Sequence, residues 1–501
     1  MKYGNISTGS EEASLAAKEI LRFGGNAFDA AVSAIFVSMT SEFALTGAFG
    51  GGTMLGVKQN STPFIYDFFV NSPIKNNKNC EFFNINVDFG ETSQKFNIGL
   101  GSIATPGNLM GLIEIQKKYG KLDIKDVLQN AIYIANNGVT ITSYQGYIMS
   151  LIKPILENDN STNNLFFKNN KLLKEGDTFK NIEFGNFLSM LIKEGHNYFY
   201  KGDGLNIILK FLDNKSNLSK NDFSDYQTFE RKAESINFNN HTIYTNSSPS
   251  HGGPLIIFLL KILRESGIKI DNNSLISAMD ITSKAREKTC VNPNLENEIN
   301  KIFDHKNFKK FLNHFKNNSL DFSKPIDGFG STTHVSIIDK ENNAASITTT
   351  NGEGCGYTIP EYGIMMNNML GEEDLNPFGF HNWNKKRRLP TMISPIIITK
   401  NNKLKFIFGS GGSNRIRSAN IQVILNLLIH KMDLKDSISK SRLHLEGDTL
   451  FYESNTQFSI NKNNIKLKPF KKKSLFFGGV NAVSPKSSVA DERRGGYSII
   501  D

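Results

Sequence analysis

The chain has 501 residues, of which 39% are hydrophobic and 21% are charged, and its formal net charge is +10. This composition is ordinary for a globular protein and allows a large core and one to three domains. The lysines are scattered among asparagines, and the densest basic clusters, at 385–388 and 471–473, are too short for a nucleic-acid-binding surface, which excludes that class of protein.

Cysteines and histidines give no sign of a structural or metal framework. The three cysteines, Cys80, Cys290 and Cys355, are far apart and odd in number, which argues against disulfides. The nine histidines show no metal-ligand spacing, so we expect no metal and no cofactor. The chain begins without a signal-peptide pattern, and its apolar runs are too short to span a bilayer. We therefore expect a cytoplasmic protein without a membrane or nucleic-acid partner.

The N-terminal half predicts mainly helices. Residues 11–23 follow Ser10, a plausible N-cap, and residues 27–39 are apolar on nearly all sides, which indicates a buried helix. Further helices are predicted at 108–119, 122–137 and 254–265. The triple glycine at 50–52 matches neither common phosphate-binding spacing, so a close crossing of backbones is the favoured interpretation.

A strand pair is predicted at 333–338 and 344–350, joined by a turn centred on Glu341. That centre places Thr332 opposite Thr350, and directly opposed residues hold their Cβ atoms about 4.5–5.5 Å apart on one face. Two threonine hydroxyls then meet at the start of a strand. Threonines are common in strands, so this pair alone does not distinguish structure from chemistry.

The Thr332 hydroxyl has a route to becoming a nucleophile. A free amine on the same residue can act as its base. Thr332 gains that amine if its hydroxyl attacks the Ser331 carbonyl and the Ser331–Thr332 bond breaks. The new amine would have a pKa of about 7.7–8.0, close enough to neutral pH for proton transfer. Thr350 would then steer the Thr332 hydroxyl through a hydrogen bond.

The C-terminal third predicts further parts of a site. Strands are predicted at 363–370 and 389–399. Three acids at 372–374 form either a solvated loop or a grip for a substrate ammonium group. A strand ends at Gly411 and Gly412 and leads into a helix at 413–430. Adjacent glycines at such a corner let backbone N–H groups converge, as an oxyanion hole requires, although a tight turn needs the same residues.

Several motifs occur in the order seen in the γ-glutamyltranspeptidases. They are GGNAFDAA at 24–31, the glycines at 50–52, STTH at 331–334, NNM at 367–369 and the glycine pair at 411–412. The chain resembles this family from about residue 7 to its end. The first and third motifs together are highly specific, far more so than any glycine motif alone.

The resemblance implies an α+β fold of the N-terminal-nucleophile hydrolase type, a four-layer αββα sandwich. It also implies self-cleavage into a large subunit, residues 1–331, and a small subunit, residues 332–501, which together form one domain. We expect these pieces to assemble as a heterodimer or as a dimer of heterodimers.

The same resemblance assigns roles to residues by position. The implied catalytic residues are the nucleophile Thr332, its hydroxyl partner Thr350, and an oxyanion hole made of Gly411 and Gly412. The implied ligands of the substrate's α-amino group are Asn351 and either Glu372 or Glu373, and the implied contacts of its α-carboxylate are Thr391 and Met392.

Departures from the family pattern bear on specificity. The family binds the α-carboxylate through an arginine in a DFRE-like stretch, whereas residues 67–71 read DFFVN and put Phe69 at that position. Loss of a bidentate cation is not a conservative change. The acids also stand in a different sequence, MLGEE at 369–373. The segment from Glu373 to Thr391 is short, so we expect the family's lid over the site to be absent.

The residues support three hypotheses about function, in order of preference. The first is an enzyme that hydrolyses, and also transfers, the γ-glutamyl group of glutathione-type amides through a threonyl ester, with hydrolysis dominant because no lid excludes water. The second, motivated by Phe69, is a glutaryl or cephalosporin-type side-chain acylase of the same fold. The third is an uncleaved, inactive relative that serves as a binding scaffold.

Overall fold

The computed structural model describes residues 2–88, 93–292, 297–317, 320, 322–324, 331–459 and 465–501. In these residues two antiparallel sheets lie face to face, and helices cover the outer face of each. This is the four-layer αββα arrangement, which confirms the fold class implied by the resemblance.

The helices carry the outer layers and the connections. Over the described parts of the chain they are α1 (Glu11–Arg22), α2 (Ala27–Ser41), α3 (Asn108–Tyr119), α4 (Ile124–Asn137), α5 (Ser143–Leu151), α6 (Lys153–Leu156), α7 (Asn160–Phe166), α8 (Ile182–Glu194), α9 (Asn197–Tyr200), α10 (Asp203–Leu212), α11 (Lys220–Ser224), α12 (Gly252–Ser266), α13 (Asn272–Thr289), α14 (His305–Lys316), α15 (Arg415–Leu428) and α16 (Leu434–Ser439). No helix within those ranges combines the length and the apolar character needed to cross a membrane.

The strands are mostly short. They are β1 (Gly4–Thr8), β2 (Gly51–Val57), β3 (Phe64–Phe68), β4 (Phe83–Asp88), β5 (Ser93–Ile98), β6 (Val139–Thr140), β7 (Phe167–Lys168), β8 (Lys171–Leu172), β9 (Thr178–Phe179), β10 (Phe229–Lys232), β11 (Glu234–Phe238), β12 (His241–Thr245), β13 (Thr333–Asp339), β14 (Ala344–Thr350), β15 (Thr358–Ile359), β16 (Ile364–Met365), β17 (Ile396–Lys400), β18 (Lys403–Gly411), β19 (Leu443–Glu446), β20 (Thr449–Glu453), β21 (Lys466–Phe470), β22 (Gly479–Val483), β23 (Ser488–Val489) and β24 (Tyr497–Ile500).

The first sheet has the strand order β10-β3-β2-β14-β13-β1-β24, with every neighbouring pair antiparallel. Helices α1 and α2 pack on its outer face. Ser10 caps α1 as predicted, and the side chains of Asn26 and Asp29 form a capping box on α2. Every residue of α2 is buried, because α2 lies between this sheet and the outer helices α3 and α4. The predicted buried helix is thus confirmed.

The second sheet has the order β11-β12-β17-β18-β22-β23, and α12 and α15 cover its outer face. Between the two sheets lies an apolar cluster that includes Leu55, Val57, Ile338, Ile397, Ile407 and Val483. Towards the other end of β13 the interface becomes polar. His334 binds Thr348 Oγ1 through Nδ1 (2.7 Å) and Ser336 Oγ through Nε2 (2.8 Å). Burial lowers the pKa of His334 to about 3, so the ring is a neutral structural link.

Two predicted strands are wrong in extent. Of the stretches at 363–370 and 389–399, only β16 and β17 are strands. Their apolar side chains instead fill a separate cluster with Phe69, which includes Met369, Leu370, Leu389 and Ile393. The Asn367 side chain replaces the missing sheet partners by donating to the carbonyls of Phe49 and Ala104. These segments are buried but have no hydrogen-bonded strand partner, and their apolar residues gave the same sequence pattern as a strand.

Candidate active site

The strand pair β13–β14 has the predicted register. Thr333 lies opposite Thr349 and His334 opposite Thr348, so Thr332 comes opposite Thr350 at the next position. Since side chains alternate along a strand, both threonines belong to the face that turns towards the second sheet. The pair occupies the centre of the first sheet, between β2 and β1, and both residues are buried.

The Thr350 hydroxyl contacts the bond that is predicted to break. In the uncleaved chain it donates to the carbonyl oxygen of Ser331 and accepts from the backbone N–H of Gly352 (3.0 Å). A hydroxyl has a single proton to donate. Thr350 therefore does not donate to the Thr332 hydroxyl in the uncleaved chain, and its contact with that hydroxyl after cleavage stays a prediction.

Gly411 of the glycine pair lies directly against Thr332. Gly411 is the last residue of β18, and a Cβ added there would collide with the carbonyl oxygen of Thr332. Gly412 has φ +123°, a conformation that favours glycine. The strand-to-helix corner is thus where the sequence predicted it, and the role of the two N–H groups as an oxyanion hole stays a prediction.

Two charged residues, one beside the glycine pair and one beside Thr333, were missed in the sequence. The guanidinium of Arg494 lies 3.1 Å from the position that a Cβ on either Gly411 or Gly412 would take. Glu42, at the end of α2, accepts from Thr333 Oγ1 (2.6 Å) and Ser38 Oγ (2.7 Å). Burial raises the pKa of Glu42 to about 7. Neither residue belongs to a recognisable motif, and only the contacts across the fold reveal them.

Two of the predicted ammonium ligands present unsatisfied oxygens near Thr350. Asn351 donates through Nδ2 to the Met365 carbonyl (3.1 Å), while its Oδ1 is buried and has no hydrogen-bond partner in the described part of the chain. The same holds for Oε1 of Glu372, which lies 2.6 Å from the position of a Cβ on Gly352. Burial, followed by the charges of Glu353 and Asp374, raises the pKa of Glu372 well above its ordinary value.

The other two acids of the predicted cluster point elsewhere. Glu373 is exposed. Asp374 is buried in an ion pair with Arg286 (2.9 Å) and accepts from Ser413 Oγ (3.0 Å). Of the two candidates for the ammonium ligand, Glu372 is therefore the one beside the Thr350 loop.

The predicted α-carboxylate contacts, Thr391 and Met392, lie in the segment that precedes β17. The carbonyl of Thr391 accepts from the backbone N–H groups of His251 and Gly252, both at 2.9 Å. The Met392 side chain packs in the apolar cluster beneath α12. Ile393, which the sequence did not single out, joins the cluster around Phe69. The assignment of Thr391 and Met392 to substrate stays a prediction.

In the described part of the chain, Arg388 is the arginine that contacts Phe69. Phe69 is fully buried among apolar side chains. The nearby guanidinium of Arg388 donates to the Phe69 carbonyl and to Tyr226 Oη (2.8 Å) and pairs with Asp67 (3.2 Å). These contacts hold the Arg388 side chain in the protein interior. The side chains that surround Phe69 are apolar.

Comparison with known proteins decides the family. A family model described as γ-glutamyltranspeptidase matches residues 13–499. The chain belongs to the γ-glutamyltranspeptidase family. It is therefore an enzyme of the γ-glutamyltransferase type, as the motifs predict.

Relatives of the family agree with this assignment. The chain is similar to the glutathione hydrolase proenzyme of Escherichia coli (strain K12), with 26% identity over 478 residues, 88% of this chain and 81% of that protein. It is also 26% identical over 488 residues to the capsule biosynthesis protein CapD proenzyme of Bacillus anthracis, covering 95% of this chain and 84% of that protein. Both relatives are named as proenzymes, which supports a chain that is cleaved into subunits and acts on small molecules.

The fold is shared more widely than the sequence. The crystal structure of cephalosporin acylase from Bacillus halodurans matches with a TM-score of 0.83 at 18% identity, over 99% of this chain and 96% of that one. At this identity the match shows the common fold alone. It agrees with the αββα sandwich described above.

Proposed function

We propose that this γ-glutamyltranspeptidase-family enzyme cleaves itself at Ser331–Thr332 and then hydrolyses γ-glutamyl amides of the glutathione type, or transfers their γ-glutamyl group to an amine. One observation carries the proposal. Thr332 lies opposite Thr350 at the head of a central strand, with Gly411 packed on its carbonyl. This geometry brings the Thr332 hydroxyl, the Thr350 hydroxyl as a donor and the turn at Gly411 together at the Ser331–Thr332 peptide bond.

Self-cleavage begins when Thr332 Oγ1 attacks the carbonyl carbon of Ser331. The hydrogen bond from Thr350 to that carbonyl oxygen stabilises the negative charge that develops on it. The hydroxyl proton passes to the Thr332 nitrogen as the C–N bond breaks, which leaves Ser331 esterified to Thr332 Oγ1 and frees the Thr332 amine. Water then hydrolyses the ester, which gives a carboxylate on Ser331 and a free hydroxyl on Thr332.

The mature enzyme repeats this chemistry on a substrate amide. The Thr332 amine takes the proton of its own hydroxyl, and Oγ1 attacks the γ-carbonyl. Backbone N–H groups of Gly411 and Gly412 hold the oxyanion, and the amine passes its proton to the leaving nitrogen. Water or a second amine then attacks the threonyl ester and releases the product. Without a lid, water competes well, so hydrolysis dominates.

Recognition of the donor rests on the unsatisfied oxygens beside Thr350. Oδ1 of Asn351 and Oε1 of Glu372 are both acceptors, which suits the α-ammonium of a γ-glutamyl group. An ammonium ion would also favour the ionised form of Glu372 and so offset the effect of its burial.

A second candidate function follows from Phe69. Phe69 is buried among apolar side chains and Arg388 is held by Asp67, so neither residue provides a free guanidinium for an α-carboxylate at that position. An acyl group without an α-carboxylate, such as glutaryl, would avoid this loss. A side-chain acylase of the same fold is therefore the alternative.

Hydrolysis of two chromogenic amides separates the candidates. The main proposal expects γ-glutamyl-p-nitroanilide to be cleaved with a higher kcat/KM than glutaryl-p-nitroanilide, and Glu372→Gln to lower the γ-glutamyl value about tenfold or more through loss of an ion pair. Glu361→Gln, which changes an exposed carboxyl outside the site, serves as the control. A preference for glutaryl, unaffected by Glu372→Gln, would reject the main proposal in favour of the acylase.

A further inference from the structure

The segment that follows α2 lies against the end of the central hairpin, on the face of the first sheet that is opposite to Thr332 and Thr350. Thr333 and Thr349 are cross-strand partners, each one residue further into the hairpin. Since side chains alternate along a strand, Thr333 and Thr349 face the helical layer, while Thr332 and Thr350 face the second sheet. The reaction described above makes no use of this outer face.

Two residues of this segment each hold one of the outer-face threonines. Glu42, the C-cap of α2, accepts a hydrogen bond from Thr333 Oγ1 (2.6 Å). Thr46 Oγ1 and Thr349 Oγ1 are hydrogen-bonded at 2.8 Å. One segment therefore holds both strands of the hairpin, at the first residue of β13 and next to the last residue of β14.

The Glu42 carboxyl group is itself held in place. Ser38 Oγ donates to Glu42 Oε1 (2.7 Å), and the backbone N–H of Glu42 donates to the Ser38 carbonyl (2.7 Å). Gly9 closes another side, because a Cβ there would lie 2.0 Å from Glu42 Oε2 and 2.7 Å from Thr333 Oγ1. Glu42 is 3% exposed, and a hydrogen bond in such a buried place is stronger than one in water.

The hydrogen bond to Thr333 bears on the reaction through the chain itself. Thr332 directly precedes Thr333, so a contact that fixes Thr333 also limits where Thr332 Oγ1 lies relative to the Ser331 carbonyl. Cleavage then removes the peptide bond on the other side of Thr332, and the new chain end is tethered through Thr333. A displacement of about 1 Å between reacting groups can lower a rate about 100-fold.

We propose that Glu42 is a positioning residue for self-cleavage and for the later acyl transfer, and that it acts by holding Thr333 and thereby aligning Thr332. The inference rests on the proposed function and adds to it a residue on the opposite face of the sheet. Glu42 is assigned to alignment and not to bond making.

Rates of self-cleavage, followed on a denaturing gel, test both partners of this hydrogen bond. Glu42→Leu and Thr333→Val each remove one partner and should slow cleavage at least about tenfold. Thr333→Ser keeps the hydroxyl and should cleave faster than Thr333→Val. Gly9→Ala keeps both partners but displaces the carboxyl group, and it should also slow cleavage. Wild-type rates in Glu42→Leu and Thr333→Val would overturn the proposal.

Glu114→Leu is the matched control for Glu42→Leu. The Glu114 carboxyl group also accepts from a hydroxyl, Tyr66 Oη (3.0 Å), but it lies on α3 and contacts β3 instead of the hairpin. This variant should cleave at the wild-type rate. Slowing equal to that of Glu42→Leu would mean that loss of any such carboxyl group impairs cleavage, and would overturn the specific role of Glu42.

A double-mutant cycle separates alignment from general damage to the fold. If Glu42 acts through Thr333, Glu42→Leu should slow cleavage by no more than about twofold in a chain that already carries Thr333→Val. Losses that multiply would show that Glu42 acts by another route and would overturn the proposal.

Steady-state kinetics of the mature enzyme provide a further readout. Thr333→Val that has completed cleavage should hydrolyse γ-glutamyl-p-nitroanilide with kcat at least about fivefold lower and with KM within about twofold of wild type, because alignment affects the nucleophile and not donor binding. A loss confined to KM would refute alignment. An intact wild-type chain would end the proposed function and this inference together, whereas wild-type cleavage matched by every variant would end the inference alone.

Discussion

Thr350 has one hydroxyl proton, and in the uncleaved chain it donates this proton to the carbonyl of Ser331. That carbonyl belongs to the peptide bond that breaks in the proposed self-cleavage. At the scale of single residues, the partner threonine therefore serves the precursor before it serves the mature enzyme, because one donor cannot satisfy two acceptors fully at once.

Thr350→Val should slow self-cleavage by about 100-fold, the loss typical for removing one oxyanion donor. Thr350→Ser keeps the hydroxyl and should cleave at a rate close to wild type. The measurement is the fraction of intact chain over time on a denaturing gel. Cleavage of the valine variant at the wild-type rate would show that the Ser331 contact has no part in the reaction.

Glu42 makes stability depend on pH. Its pKa is about 7 in the folded chain and about 4.3 when unfolded, so the folded state binds the proton more strongly. The resulting stability is present below about pH 4.3 and is lost as pH rises through 7, by about 4 kcal/mol at most. Glu42→Gln should remove this dependence of the free energy of unfolding on pH between pH 5 and about 8.

Chemical denaturation of the uncleaved Thr332→Ala chain, with and without Glu42→Gln, measures the Glu42 effect. The free energy of unfolding of the two chains should differ more at pH 8 than at about pH 5, with the glutamine variant favoured at high pH. Parallel pH profiles would mean that Glu42 does not titrate in this range.

At the scale of elements, one carboxylate connects the central hairpin to the helical layer. Asp339 accepts from the backbone N–H groups of Glu341 and Asn343 in the turn, both at 2.9 Å, and from the N–H of Ala27 at the start of α2 (3.0 Å). Asn342 adopts φ +63° there, which asparagine tolerates better than most residues. The hairpin register that aligns Thr332 with Thr350 thus depends on this turn.

Asp339→Ala should destabilise the chain by about 3 kcal/mol, because several charge-assisted hydrogen bonds are lost in a buried place. Asp339→Asn keeps two acceptor lone pairs and should cost less. Denaturation of both variants in the uncleaved Thr332→Ala chain gives the comparison. If Asp339→Ala lowers the free energy of unfolding by less than about 0.5 kcal/mol, contacts other than those of Asp339 determine the register.

The helices and strands also show where prediction of secondary structure from sequence patterns succeeds. Helices with clear caps, such as α1 and α2, were predicted to within a few residues because the side chain that caps a helix is adjacent in sequence. The stretch at 389–399 was predicted as a strand because its residues are apolar, but only its end, from Ile396, is a strand, while Leu389 and Ile393 pack around Phe69 without a ladder. A periodic pattern of apolar residues indicates that a segment is buried. Whether the buried segment is also a strand depends on which other segments lie next to it in the fold.

At the scale of the whole molecule, the two predicted subunits interleave. In the first sheet, β14 and β13 of the small subunit lie between β2 and β1 of the large one. In the second sheet, β12 of the large subunit pairs with β17 of the small one. Cleavage at one peptide bond breaks none of these ladders, so the pieces cannot part without loss of both sheets.

Cleaved enzyme should therefore run as pieces of 331 and 170 residues on a denaturing gel, yet elute as one species without denaturant. Size-exclusion chromatography with light scattering should give a mass of about 56 kDa or twice that value, for a heterodimer or a dimer of heterodimers. The uncleaved Thr332→Ala chain should elute at the same position. Separate elution of the pieces under native conditions would contradict the interleaved sheets. A single intact wild-type chain would instead support the uncleaved binding scaffold.

The sequence by itself determined the family, the αββα fold, the hairpin register and the place of the glycine corner, because each depends on residues that are close in the chain or on motifs of high specificity. It also located the Phe69 departure. Only the tertiary structure decided that Glu372 and not Glu373 lies beside Thr350, that Glu42 contacts Thr333, and that Arg494 lies beside Gly411 and Gly412. These are contacts between segments far apart in sequence, and the burial that sets their charges exists only once both sheets have closed on each other.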